Sequence, residues 1–597
     1  MWIAVAVILL ALLGIWTWKK RQATSLALKP PTASAPVRKA AAGHVRFTDV
    51  TRLAGIQFIH NNGAFGKKYL PETLGSGVAW LDYNNDGYQD LLLIDGADWP
   101  GHPTRLHGET MKLYRNNGDG TFTDVTRQAG LAHAFYGMGA AVGDYLNNGY
   151  DSLFITGVGG NHLYRNNGNG TFTDVTRGSG LDDYRGFATS AAWVDYNRDG
   201  CLDLWVDYYV QWTPQTDLFC TVDGKHKDYC TPNNYPGVSP RLYRQIRQGG
   251  VCTGTFQDAT RASGIYDPTD KSLGVSVFYD GYDRDRRPDI FVSNDTQPNK
   301  LYRNNGNGTF SEQAVQAGVA FSEDGVARGG MGTDVADYDD SGRFSLVVGN
   351  FSNQMLGLYH NDGHGLFVDM APQSDVGRAS LLSLSFGTFF FDYNLDGRPD
   401  LFVANGHLDP GIHAVQPQVH YAESPLLFRN LGGGRFRNVA PTIGGGFDRR
   451  VVARGAAYAD YDLTGFPDIL FSTSSGPAYL YYNRGNQNHA LRIRAVGVES
   501  NRDGIGTLVR VKTSTGWQEQ YIKSGSSYLS ASELPLTFGL GASDQAQVIQ
   551  LLWPSGQKQS LTDVPGDQFI TITEGKGITA HQPLRICDSQ GKNCKPR

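Results

Sequence analysis

Three stretches of this 597-residue chain repeat one arrangement of oxygen-bearing side chains. The first reads Asp82-Tyr-Asn84-Asn-Asp86-Gly87-Tyr88-Gln-Asp90 and runs straight into Leu-Leu-Leu-Ile. The second places Asp195, Asn197, Asp199, Gly200, Cys201 and Asp203 at the same positions, and the third Asp392, Asn394, Asp396, Gly397, Arg398 and Asp400. Side-chain oxygens at positions 1, 3, 5 and 9, with the backbone carbonyl at position 7 (Tyr88, Cys201 or Arg398), suit a hard cation that takes six to eight oxygens, and Ca2+ is the expected one. Glycine at position 6 permits the sharp turn that points these oxygens inward. Asp, Asn and Gly also build ordinary turns. Carboxylates crowded into one loop repel each other unless a cation neutralises them, however, and three matches in one register favour the metal. An EF-hand would continue to a Glu on a helix, whereas a strand follows position 9 here, so the pattern is the β-hairpin form of such a site.

Four further loops weaken by degrees. The seventh in chain order keeps Asp460, Asp462, Gly465 and Asp468 with Thr464 at position 5, and is still able to bind. The fourth keeps Asp283, Asp285 and Asp289 but has Gly281 at position 1 and Arg286 where glycine belongs. The fifth keeps Asp337 and Asp339 but replaces later carboxylates with Ser341 and Ser345, and the second has Leu146 at position 3 and Ser152 at position 9. Three firm sites, one or two marginal ones and otherwise empty loops are expected.

The loops belong to a repeat. Each precedes an apolar strand, then a strand of the Leu-Tyr-Arg-Asn type, a Gly-rich turn and a strand keyed on Phe, as in Leu113–Thr126 and Leu163–Thr176. Loop starts are spaced 51–86 residues apart, room for about four strands each. Such units build a propeller or a solenoid. The phase decides between them, because the first Phe strand (residues 45–51) lacks a preceding partner and the last Leu-Tyr strand (480–483) lacks a following one. Pairing the two closes a ring and removes two sheet edges. Composition agrees: aromatic residues make up 12%, charged residues only 19%, and glycine accounts for 74 positions, as expected of short strands joined by tight turns. A net charge of −5 gives no electrostatic case for nucleic-acid binding.

Residues 1–18 carry no charged side chain and are followed by Lys19, Lys20 and Arg21. As a helix they would span about 27 Å, close to a bilayer core, and an uncleaved membrane anchor is favoured over a signal peptide, whose positive charge comes first. The trailing positive charge favours a cytoplasmic body. Acidic metal loops and paired cysteines favour the opposite, extracytoplasmic side, which is the reading adopted. Cys220 with Cys230 and Cys587 with Cys594 bracket short loops and are expected as disulfides of an oxidising compartment. Cys201 and Cys252 either pair, the favoured reading, or stay free and buried.

The loops and repeats resemble the FG-GAP/VCBS repeats of integrin α propellers, whose loops bind calcium. A nearer resemblance is to bacterial relatives of cartilage acidic protein, carried by Asn294-Asp-Thr-Gln-Pro-Asn-Lys-Leu-Tyr-Arg-Asn304 and Gly329-Gly-Met-Gly-Thr-Asp334. Ser500-Asn-Arg-Asp-Gly-Ile-Gly506, Ser524-Gly-Ser-Ser-Tyr-Leu529, Phe538-Gly-Leu-Gly541 and Trp553-Pro-Ser-Gly556 look like the ASPIC/UnbV domain. Independently of that resemblance, residues 485–575 alternate apolar and polar residues as a small β-sandwich or barrel does. Within them Ser524–Tyr528 and Arg502–Asp503 read as turns in preference to a polar binding surface.

The expected protein is therefore all-β, with an anchor over 1–18, a linker over 19–43, a seven-bladed β-propeller over 44–484, a sandwich-like ASPIC/UnbV domain over 485–576 and a tail over 577–597. No nucleophile-elbow, P-loop, zincin or dinucleotide motif is present. His407 reads as a loop residue in preference to a ligand or base. The favoured function is a membrane-tethered, calcium-stabilised module binding protein or carbohydrate, with Trp212, Phe219, Tyr229 and Tyr235 of the insertion at 211–250 as the contact surface. The alternative is an enzyme working at the mouth of the central channel, a role in secondary metabolism being what the UnbV resemblance implies.

Overall fold

The computed structural model describes residues 45–102, 111–221 and 224–597. The expected anchor and linker lie outside the described residues, among which no helix is long and apolar enough to cross a membrane. The all-β, propeller-like expectation holds. Seven four-stranded antiparallel sheets follow one another, each a simple meander; the first consists of Val78–Leu81, Asp90–Ile94, Met111–Asn116 and Phe122–Asp124. In the last, Phe47–Asp49 completes the sheet of Ala453–Ala459, Asp468–Thr473 and Tyr479–Asn483, with Phe47 opposite Asn483. The two ends of the ring are thus clasped as the repeat phase requires. The innermost strand of each sheet is buried almost throughout and touches the innermost strands of the sheets before and after it, the seventh meeting the first.

Two side chains per repeat lock neighbouring sheets together. The Asn of each Leu-Tyr-Arg-Asn strand (Gln245 in the third sheet) donates its side-chain amide to the carbonyl of the Tyr at loop position 2 in the preceding sheet, at 2.7–3.0 Å all seven times round the ring. That same Tyr lies against the keyed Phe of the following sheet, with ring centroids 5.5–6.2 Å apart, again seven times. Buried amides and carbonyls are satisfied, and the aromatic contacts add to the apolar burial.

Beyond Asn483, two further four-stranded sheets share a core that includes Leu491, Ile493, Val509, Phe538, Ile549 and Ile570. His489–Val496 runs parallel to Gln568–Thr573 at the centre of one of them. Gly577–Pro583 is the outer strand of that sheet, so the fold continues past the expected boundary at 576, and the residues after it form a small hairpin held by Cys587–Cys594.

The segment 523–533 leaves these sheets and fills the axis of the ring. Trp193 N–H donates to Ser524 Oγ (3.1 Å), Tyr279 Oη to Ser524 O (2.8 Å), Ser527 N–H to Thr333 O (2.7 Å) and Ser527 Oγ to Ala456 O (2.7 Å). Ala140 N–H donates to Leu529 O, Val78 N–H to Ser530 Oγ, and Phe386 packs on the Tyr528 ring. All seven innermost strands therefore touch one plug. Glycines make the room: a Cβ at Gly77 would fall 1.9 Å from Leu529 O, and one at Gly455 would fall 2.6 Å from Ser530 Oγ. Ser524–Tyr528 keep the turn conformation expected of them, Ser527 having φ +64°, but the turn lies inside the ring, where its hydroxyls satisfy backbone groups that line the channel. The channel is not an open passage.

Candidate metal centre

Each acidic loop joins the first strand of its sheet to the second, and its turn is built by the backbone. Position 4 is left-handed in all seven loops, and position 6 has φ between +73° and +90° wherever it is glycine. The Asp at position 1 accepts both N–H groups of this turn: Asp82 from Asp86 and Gly87 (3.0 Å each), Asp195 from Asp199 and Gly200 (3.0 and 2.9 Å), Asp392 from Asp396 and Gly397 (3.1 and 2.8 Å), and Asp460 from Thr464 and Gly465 (2.8 and 2.7 Å). At position 9, one oxygen accepts the N–H of the Leu-Tyr-Arg-Asn strand, as Asp90 does from Asn116 (2.7 Å) and Asp468 from Asn483 (2.7 Å). Positions 1 and 9 are fixed before any ion arrives.

What these anchors leave over tests the fit of a cation. Asp203 Oδ2, Asp462 Oδ2 and Asp468 Oδ2 are buried with no hydrogen-bond partner. Burial, with the charges of Asp86 and Asp82 adding to it, pushes Asp90 up to about 8, and burial with Asp199 beside it pushes Asp195 up to about 7. Asp203, Asp392, Asp400, Asp462 and Asp468 are held well above the usual carboxylate range, by burial first and by neighbouring carboxylates next. Buried, mutually repelling carboxylate oxygens without donors are what a divalent cation relieves. In the three full-match loops the Asn at position 3 closes the loop with its amide, to Asp86 (2.8 Å), Asp199 (3.0 Å) and Asp400 (2.8 Å).

Two loops bring three carboxylates within 4.8 Å of one another, and sequence placed neither among its firm sites: Asp460, Asp462 and Asp468 in the seventh, and Asp283, Asp285 and Asp289 in the fourth. In the fourth, Arg303 reaches Asp283 (2.8 Å) and Asp285 (2.7 Å), and Arg287 also pairs with Asp285. Side-chain cations already sit among those oxygens. Arg286 at position 6 takes φ +69°, the strained solution that the missing glycine imposes.

The second domain caps this face. Arg492 pairs with Glu533 and reaches Asp460 at 3.2 Å, Arg494 reaches Asp82 at 3.3 Å, and Asp503 accepts the N–H of Asp144 at 2.6 Å. Arg492 and Arg494 are two apart on one strand and so share a face; two arginines alternating with apolar residues were the available signal. Asp503 is a docking residue on the second loop. All three cysteine pairs are disulfide-bonded, and Cys201–Cys252 ties position 7 of the third loop to the outer strand of its own sheet.

The expected partner surface needs correction. Trp212 is buried against Tyr69 and Trp99, Tyr235 is buried beside Asp217, and Tyr229 donates to Glu72 at 3.1 Å; Phe219 alone of the four is exposed, at 65%. These aromatics attach the insertion to the ring. His407 is buried at the opposite end of the innermost strands from the acidic loops.

Residues 82–155, 147–206, 281–348 and 392–471 match the family model of FG-GAP-like repeats, and residues 497–579 match that of ASPIC and UnbV. The chain carries FG-GAP-like repeats followed by an ASPIC/UnbV domain. Cartilage acidic protein 1 of Mus musculus is 28% identical over 307 residues, covering 48% of this chain and 42% of its own; that of Homo sapiens is 27% identical over 300 residues, covering 47% and 40%. The matched part spans less than half the length of these curated relatives. Among solved structures, an Agrocybe aegerita lectin recognising non-reducing terminal N-acetylglucosamine aligns with TM-score 0.38 and 16% identity over 68% of this chain and 87% of its own. The six-bladed fucose-recognising lectin of Aleuria aurantia aligns with TM-score 0.31 and 10% identity over 61% and 94%. At scores this low the likenesses add nothing to the ring topology, which rests on its own hydrogen bonds.

Proposed function

We propose that this FG-GAP-repeat, ASPIC/UnbV protein is a seven-bladed, calcium-stabilised propeller on the extracytoplasmic side of a membrane, acting as a binding module for a protein or carbohydrate partner. The observation that carries the calcium reading is the set of buried carboxylate oxygens without donors at Asp203, Asp462 and Asp468. Loops one, three, six and seven hold the ions through the side chains at positions 1, 3, 5 and 9 and the carbonyl at position 7. Loop four is neutralised internally by Arg303 and Arg287, and loops two and five stay empty. Calcium supplies charge neutralisation and no reaction step. The propeller occupies 44–484 and the ASPIC/UnbV domain begins at 485. The three disulfides support an oxidising compartment, and the apolar run over 1–18 supplies the tether.

Metal content and melting of protein purified without chelator test this reading. The expected outcome is about four calcium ions per chain, one for each oxygen-lined loop named above, and a melting temperature that EDTA lowers and added calcium restores. A chain free of calcium, with melting indifferent to EDTA, overturns it.

A further inference from the structure

The other end of the innermost strands, about 20 Å from the acidic loops along a seven-residue strand, holds a buried cation without an anion. Arg454 is 1% exposed, and its guanidinium donates to four backbone carbonyls: Thr73 (2.7 Å), Ala453 (2.7 Å), Gly406 (2.9 Å) and His407 (3.2 Å). No carboxylate among the described residues forms an ion pair with it, although every other fully buried arginine does: Arg492, the one companion, pairs with Asp460 and Glu533. The guanidinium lies 4.1 Å over the Phe386 ring, which packs on Tyr528 at the tip of the plug. The site is therefore closed from below.

The groups round it include two unsatisfied donors. His407 Nδ1 accepts the N–H of Asp409 (3.1 Å) and His60 Nδ1 accepts that of Ser475 (3.3 Å), which assigns the ring proton of each to Nε2. Both Nε2 atoms are buried without a partner. Burial keeps both rings neutral, lowering His60 to about 3 and His407 to about 4. Glu423 Oε2 accepts Leu384 N–H (2.9 Å) and Glu72 Oε2 accepts Tyr229 Oη–H, while Oε1 of each has no partner. Burial raises both carboxyls, Glu423 to about 8, so Glu423 presents O–H and no charge at neutral pH. Leaving a buried polar atom unpaired costs its desolvation without return, and an uncompensated buried charge costs more. Two buried Nε2–H donors beside a guanidinium that has no ion pair point to a missing acceptor that is itself negative. A cation would be repelled by Arg454, and a neutral polyol would leave its charge uncompensated.

We propose that the propeller mouth round Arg454 binds an oxyanion group, a carboxylate or a phosphate of a ligand, with Arg454 supplying the charge and His60 and His407 the Nε2–H donors. The site is independent of the calcium loops. The test titrates the full calcium-loaded chain with sodium acetate and with sodium phosphate at constant ionic strength, set against sodium chloride, following melting temperature and heat of binding. The expected result is a saturable rise in melting temperature with one anion per chain that chloride does not reproduce; the tighter of the two titrants tells a carboxylated ligand from a phosphorylated one. Arg454→Met abolishes the effect. Should that variant fail to fold, His407→Leu removes one donor without touching the backbone carbonyls that hold Arg454, and weakens binding about tenfold, as loss of one charge-assisted hydrogen bond does. Glu423→Gln, which keeps a neutral donor, retains binding. No saturable effect beyond chloride in the unaltered chain, or equal binding in His407→Leu, overturns the proposal.

Discussion

Loops four and seven have the same three-carboxylate cluster and solve its electrostatics in opposite ways. In loop four Arg303 and Arg287 stand among the acids. In loop seven Asp462 Oδ2 and Asp468 Oδ2 are buried without a hydrogen-bond partner, and Arg492 reaches Asp460 alone of the three. Loop four sets two arginines against its three carboxylates, whereas loop seven has one, shared with Glu533, and must recruit the rest of its counter-charge. The contrast teaches that counting carboxylates does not locate a cation site; the count has to be set against the cations the fold already delivers.

The largest effect that can break this comparison is chelation. Removing calcium should lower stability by about 2–3 kcal/mol for each loop that had been hundredfold saturated, seen as a fall in melting temperature in EDTA. Next, Asp468→Asn should remove about one calcium ion per chain, whereas Asp289→Asn, at the same position of loop four, should leave metal content unchanged; equal losses measured by metal analysis would erase the distinction. Third, Arg303→Met should leave Asp283 and Asp285 short of a counter-charge, costing about 1–3 kcal/mol in EDTA, with calcium recovering part of the loss. A variant whose melting is the same with and without calcium, relative to the parent, would show that the arginine does not substitute for an ion.

The smallest effect is a pH trend. Asp90 titrates near 8 in the fold against about 4 unfolded, so the folded state binds the extra proton between those values. Calcium-free protein should therefore lose stability as pH rises from about 4 to 8, while calcium binding strengthens as its ligands deprotonate. The melting difference between calcium and EDTA should widen over that window. A difference that is flat or narrows would argue against carboxylate ligands in loop one.

Much of the ring was legible from sequence, because the phase of the repeat is physical: an unpaired Phe strand at one end and an unpaired Leu-Tyr strand at the other must meet or leave edges exposed. The position-1 and position-6 requirements of the loops were legible for the same kind of reason, as one turn geometry serves all of them. The counter-charge of loop four was not legible, because its Arg303 stands where Arg115, Arg165 and Arg429 stand in other repeats, and nothing in the spacing tells which of these turns into its loop, as Arg429 also does toward Asp396 at 3.3 Å. The plug was hidden too. Ser, Gly and Tyr at 524–530 look like surface turn chemistry, and their complements, glycines such as Gly77 and Gly455, lie hundreds of residues upstream. The aromatic insertion misled because Trp and Tyr serve equally as anchors within a chain and as contacts to another.

The plug also sets an order of events. Residues 523–533 are translated after every strand of the ring, so the ring has to form, or at least wait, with its axis unfilled until the last part of the chain emerges. Until then the amides of Val78, Trp193 and Tyr458, which end on Ser530, Ser524 and Ser532 in the finished molecule, face an empty core. A polypeptide interrupted before residue 523 would thus contain the strands of all seven sheets and lack their central pillar.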